Sequence, residues 1–394
     1  MGEEDSIAMR DNNSYILFSI LRSVFCGNRM SHADEQPLIE SSLVDIIKLA
    51  AKHDIAHLVA YGLSDNLKDE NIKQQLQQIV FRAVYRFEKM NYEYRQVCNV
   101  LEQAEIPFIP LKGAVLREYY PEPWMRTSCD IDILVYEKDL KMAISHMVKI
   151  LGYTEHDQGS HDVSLFSPSG VHVELHYDLV EDNRIALSSK ILSNIWDVVM
   201  IKDDWRYLYE IPDDMFFFYH IAHMAKHFTE GGCGIRPFID LMLLESIHDT
   251  DIEKRNILLE RGALLKFANA VRKLSRVWFF GEEYDTVSKH MEEYILHGGV
   301  YGNNENRITI QQQKKGGKIK YALSKIVIPY DTIKFHYPIL QKHRWLTPFM
   351  QIRRWFKLIF CGHAKRSMRE LTYNSNISQS QADEMKIFLE EIGL

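Results

Sequence analysis

A chain of 394 residues with 46% hydrophobic and 26% charged residues has the balance of a globular protein with sizeable cores, which excludes large-scale disorder. Its formal net charge of -7 argues against bulk duplex-DNA binding, because such binders offer lysines and arginines to a dense row of phosphates. No run approaches the roughly 18 apolar residues of a spanning helix, and "MGEEDSIAMRDNNS" lacks the layout of a signal peptide, so a cytoplasmic protein with no transmembrane segment is expected.

In chain order, three zones follow. The first, 1–103, is helical: "SSLVDIIKLAAKHDIAHLVAYGL" carries apolar residues at helical spacing after a cap position at Ser42, and "NIKQQLQQIVFRAVYRFEKMNYEYRQVCNVLEQA" keeps that period without Gly or Pro. In the second, 104–205, the rhythm changes. "IPFIPL" reads as a short buried strand, "AVLREYY" as a helix halted near Pro121, "DIDILV" as a strand and "DLKMAISHMVKILGY" as an amphipathic helix. "DVSLF" and "VHVELHYDL" flank "SPSG", the pattern of a hairpin. The third zone, 206–394, returns to helix, with "MFFFYHIAHMAKHF" and "PFIDLMLLESIH" on either side of "EGGCG". The predicted fold is α+β, a small mixed β-sheet flanked by N-terminal and C-terminal helical regions.

Alternate strand residues share a face, so Ile131 and Ile133 can enter a core while Asp130 and Asp132 project together from the other side. Two carboxylates on one face repel unless a cation sits between them. In "VHVELHYDL" the same alternation puts Glu174 on a polar face with His172 and His176. If the two strands are neighbours, Asp130, Asp132 and Glu174 form an oxygen cage for Mg²⁺ or Mn²⁺.

The stretches "LKGAVLREYYPEPWMRTSCDIDILV", "HVELHYDL" and "HMAKHFTEGGCGIRPFIDLMLL", with "LVDIIKLAAKHDIAHLVAYGL", resemble a bacterial nucleotidyltransferase family of the DNA polymerase beta type superfamily, over about Leu43 to Leu244. The resemblance implies a nucleotidyltransferase palm and a metal-dependent enzyme that moves a nucleoside monophosphate from an NTP, ATP first among them, to a hydroxyl acceptor, releasing pyrophosphate. It implies Asp130 and Asp132 as metal carriers and Glu174 as the third carboxylate, placed to activate the acceptor hydroxyl. The acceptor, whether small molecule, saccharide, peptide or protein, is not legible. The superfamily usually has Gly-Ser or Gly-Gly at its turn, whereas Ala114 follows Gly113 here, so backbone N–H groups or Lys112 must meet the phosphates. Gly113 lets the backbone come close, with a plain turn glycine as the alternative. Arg126 would offset phosphate charge or form a structural ion pair.

His223 and His227 lie four apart on a predicted helix, hence on one face, and with His172 and His176 they compose a set that would suit Zn²⁺. That set supports a rival reading, a metal-dependent hydrolase; substrate-lining or core histidines are the other reading, and Arg236 and Asp240 join them as candidates for the pocket wall, with structural pairing as the alternative for both. A third reading, a catalytically silent helical module, would be marked by loss of an acid from the triad, and all three are present. Phe216 to Phe218 are expected in the core. The five cysteines are odd in number and far apart, as expected of reduced thiols. Between Tyr301 and Glu370 there are fifteen Lys or Arg against three acidic residues, a region that would suit an anionic partner or a solvated face.

Overall fold

The computed structural model describes residues 3–27, 43–63, 69–159, 161–179, 185–247, 250–300, 302–360, 370 and 372–394. Cys361 and the run 361–369 of the basic region lie outside them. Helix α1 (Glu3–Cys26) is followed by α2 (43–52), α3 (Ala56–Leu63) and the long α4 (Glu70–Gln103). The Asp69 side chain caps α4 by accepting from the backbone N–H of Asn71 and Ile72, and the helix ends where Glu105 turns to a φ of 57° before Ile106-Pro107.

Five strands form the main sheet: β1 (Phe108–Pro110), β2 (Asp130–Val135), β3 (Thr154–Gln158), β4 (Asp162–Phe166) and β5 (His172–His176). Their order is β1-β2-β5-β4-β3, with β2 and β5 parallel and every other pair antiparallel. The expected hairpin is β4–β5, closed by a turn in which Gly170 takes a φ of 83° and the Ser167 hydroxyl accepts from Val171 N–H. The expected helix at "AVLREYY" is shorter: α5 is Gly113–Leu116, and a 3₁₀ turn over Arg117–Tyr119 follows it before Pro121. Strand β3 is an addition to the expected elements. Its sequence, "TEHDQ", lacks apolar alternation, and a register shift between Glu155 and Asp157 breaks its pairing with β4.

One face of the sheet is covered by α4 and by α6 (Leu140–Leu151), whose Val97, Leu101, Ala143 and Met147 pack with Ile131, Ile133, Val173 and Leu175. The other face carries the alternate positions of β2. Leu134 on that face enters a second, larger core built from α1 to α3 together with the helices after residue 206. Those include α8 (Asp213–Glu230), α9 (Arg236–Glu245), α10 (Ile252–Arg261) and α11 (Leu265–Phe280), α7 being the short Ala186–Leu192. Phe18 of α1 stacks on Trp278 of α11 with centroids 4.4 Å apart, so the helices from both ends of the chain share one interior. Phe216, Phe217 and Phe218 are buried in it, as expected. Helices α12 (Thr286–His297), α13 (Asn304–Lys315) and α14 (Lys318–Ile326) continue the chain. Among the described residues, no helix is long and apolar enough to cross a membrane, and Cys26, Cys98, Cys129 and Cys233 are free thiols.

Candidate functional site

The parallel pairing of β2 with β5 sets Asp132 opposite Glu174 and Asp130 opposite His172. Directly paired residues share a sheet face, so the alternation read in each strand separately becomes one polar patch. Ligand atoms of Asp130, His172 and Glu174 all lie within 4.8 Å of one another, and so do those of Asp132, Glu174 and His176. Glu174 belongs to both groups. The patch opens into a cavity of ≈ 280 Å³ whose opposite wall is α8 and the start of α9.

The acids in this patch are held in different states. Asp132 is buried; burial alone would raise its pKa, but Lys112 Nζ at 2.8 Å and His176 Nε2 at 2.8 Å from its Oδ1 hold it far below the ordinary carboxylate range. Lys112 is correspondingly raised: burial opposes its charge and the Asp132 carboxylate more than restores it. Burial pushes Asp130 upward and the neighbouring Asp132 carboxylate adds to the push, Lys112 offsetting only part of it. Glu174 is lowered, first by the His176 imidazole, whose Nε2 lies 3.4 Å from Oε2, against the cost of burial. Burial disfavours the charge on His176, but its contacts with Asp132 and Glu174 leave its pKa above the ordinary value. A carboxylate whose charge is disfavoured by burial and by the neighbouring Asp132 gains from a cation, and each set of clustered ligand atoms, two carboxylates with one imidazole, could hold a metal ion.

Lys112 adopts a φ of 44°, the left-handed region that a non-glycine residue enters at a cost, and this turn delivers its side chain to Asp132. Gly113 is explained by crowding: a Cβ there would lie 3.1 Å from Arg126 Nη1 and 3.2 Å from Ser128 Cβ. Ala114 is buried behind it. Arg126 and Asp240 face each other through two hydrogen bonds of 2.9 Å, Nε to Oδ1 and Nη2 to Oδ2, both side chains being buried at the cavity wall. Arg236 donates to Asp54 Oδ2 at 3.1 Å and to the Thr127 carbonyl at 2.8 Å. The structural-pair alternative for these two arginines is therefore the arrangement observed, and both still line the cavity. His223 and His227 also line it; their Nε2 atoms are 2.9 Å apart, bonded to each other. Among the described residues, the groups that could share a metal ion contain His172 and His176 and neither of these two.

Several wall residues escaped the reading of the sequence. Tyr219, Lys226 and Glu230 project from the same side of α8 as His223 and His227, and a polar stripe at i, i+4, i+7, i+8 and i+11 in a helix whose other positions from Met215 to Phe228 are apolar but for His220 was the available signal. His53 had no such signal. It follows α2, is fully buried against Gly234, and neither ring nitrogen has a hydrogen-bond partner; burial lowers its pKa to about 4, so the imidazole is neutral at pH 7.

Fold and cluster together define an α+β protein whose carboxylates and imidazoles are spaced to share a metal ion. Residues 42–279 match the family described as uncharacterised nucleotidyltransferase, and the chain belongs to that family. The match runs from α2 through α11 and so takes in both the sheet and the helical wall facing it. No curated protein and no solved structure matches the chain.

Proposed function

We propose that the protein moves a nucleoside monophosphate from an NTP to a hydroxyl acceptor and releases pyrophosphate, as a member of the DNA polymerase beta type superfamily with 104–205 as its palm. The observation that carries this reading is the register of β2 on β5, which brings Asp130 with His172, and Asp132 with His176, to Glu174 at the cavity of a chain from a nucleotidyltransferase family. Asp130, Asp132 and Glu174 would hold Mg²⁺ or Mn²⁺, which when bound would neutralise phosphate oxygens and polarise the reacting centre. The acceptor oxygen attacks the α-phosphorus, the bond from that phosphorus to the bridging oxygen of the β-phosphate breaks, and pyrophosphate leaves. Glu174 takes the hydroxyl proton, a role suited to a carboxylate kept ionised by its His176 neighbour. Lys112 secures the ionised state of Asp132, while Lys226 brings positive charge to the far wall, where a polyanion would lie.

The test is incubation with each α-labelled NTP, Mg²⁺ or Mn²⁺ and a cell extract fractionated by size. Label should enter one fraction, with one pyrophosphate released per label transferred. NTP with metal should also raise the melting temperature, since ligand at a hundred times its Kd stabilises the folded state by about 2.7 kcal/mol. Tightly held Zn²⁺ in the isolated protein, with no label transfer from any NTP, would favour the hydrolase instead.

A further inference from the structure

The charge of the chain is segregated. From Asn304 to Phe360 there are twelve Lys or Arg against Glu305 and Asp331, in a protein whose total is -7. The same region exposes large apolar side chains. After α15 (Tyr330–His336) and α16 (Ile339–Lys342), a turn carries Trp345 into α17 (Thr347–Phe360), "TPFMQIRRWFKLIF". Phe349, 58% exposed, and Ile352, 45% exposed, share one face of α17, and the ring of Trp345, 70% exposed in the 3₁₀ turn before the helix, lies 6.4 Å from that of Phe349, so the three form one stripe. The opposite side of α17 is the one tied to the protein: Gln351 and Arg354 reach backbone groups at Ile328, Ile326 and Lys325, and Trp355 Nε1 donates to the Ile326 carbonyl at 2.7 Å. Arg353 and Lys357, both exposed, flank the stripe. A second stripe of the same spacing runs along α14, where Ile319 is 77% and Leu323 55% exposed, followed by Ile326, with Lys318 and Lys320 beside it.

We propose that this region docks the protein on the surface of a bilayer rich in anionic phospholipids. An aromatic and aliphatic stripe bordered by cations is the composition of a helix that lies in the membrane interface, its apolar residues among the acyl chains and its lysines and arginines at the headgroups. The alternatives fit less of the surface. A second copy would set twelve cations against twelve, and a single-stranded nucleic acid would stack on Trp345 and Phe349 but find no π-face at Ile319, Leu323 or Ile352. Helix spanning is excluded for the described residues, so the contact is peripheral. This inference does not depend on the nucleotidyl transfer proposed above.

The experiment is co-sedimentation of the full chain with vesicles of phosphatidylcholine alone, or of phosphatidylcholine and phosphatidylglycerol in equal parts. Binding should require the anionic lipid and weaken as salt rises. Trp345→Ser with Phe349→Ser, and separately Arg353→Glu with Lys357→Glu, should each reduce the partition coefficient by about tenfold or more. Circular dichroism and melting temperature establish that each variant is folded; should one not be, the lipid and salt dependence of the wild-type chain decides alone. No sedimentation of the wild type with anionic vesicles at low salt would overturn the proposal. So would equal binding to both vesicle types, or a wild-type dimer that the aromatic variant converts to monomer with no change in lipid binding.

Discussion

With Glu174→Gln, label transfer from an α-labelled NTP should fall by about a hundredfold or more, the scale of losing a general base, while the rise in melting temperature on adding NTP and metal survives in part. The substitution keeps the shape of the side chain and removes its capacity to take a proton. Asp130→Asn with Asp132→Asn should behave differently and lose both the transfer and the nucleotide-induced stabilisation, because the charges that would hold the cation are gone. The contrast is the informative quantity. Equal loss of stabilisation in the two variants would assign Glu174 to metal holding alone, and transfer at the wild-type rate in Glu174→Gln would refute its role as base. Retention of metal-dependent NTP binding by the double variant would place the nucleotide site elsewhere. Asp130→Asn should cost little stability, since Asp130 is the carboxylate whose charge its surroundings disfavour, whereas Asp132→Asn leaves Lys112 buried without its counter-charge and should lower the melting temperature, so the nucleotide-induced shift of the double variant is read against its own ligand-free value.

The parts of the site that were legible are those fixed by strand periodicity. An apolar residue at every second position told which side of "DIDILV" and of "HVELH" faced the interior, and the "SPSG" turn set the second strand beside "DVSLF". That β5 also lies parallel to β2 required the whole sheet order, which local patterns do not contain. The cations were harder. Lys112 reads as a neighbour of the turn, but that it closes on Asp132 follows from a backbone conformation rare outside glycine. Arg126 meets Asp240, and Arg236 meets Asp54, across separations of more than a hundred residues. Such pairs are settled by how α9 is laid against the segment before β2 and the turn between α2 and α3, after every local preference has been satisfied. His53 likewise reads as one polar residue in a helical run; its burial follows from the packing of Gly234 and Val300 around it.

Asp240→Asn should cost about 3 to 5 kcal/mol of stability at pH 7, because it leaves the Arg126 guanidinium buried without its counter-charge. Arg126 and Asp240 are joined by two hydrogen bonds, and the Tyr120 hydroxyl donates to Asp240 Oδ1 at 2.8 Å, so one carboxylate organises three elements. Burial would raise the Asp240 pKa, yet the Arg126 charge keeps it below the ordinary value. A carboxyl depressed in the folded state binds its proton more readily in the unfolded chain, so its stabilisation is complete above the unfolded pKa of about 3.9 and is lost as pH falls through the lower, folded value. The acid limb of wild-type stability should therefore contain a contribution from this pair, and in Asp240→Asn that contribution should be absent, with the stability at pH 7 already reduced. Urea unfolding across the acid range measures both. Arg126→Met with Asp240→Leu supplies the discriminating case: apolar groups of similar volume in place of both charges should recover most of the loss, since the penalty comes from the unpaired ion and not from the absence of the bond. If the double replacement is as unstable as Asp240→Asn, the pair contributes through its geometry, holding α9 and Tyr120 in place, and the electrostatic account of the wall is wrong.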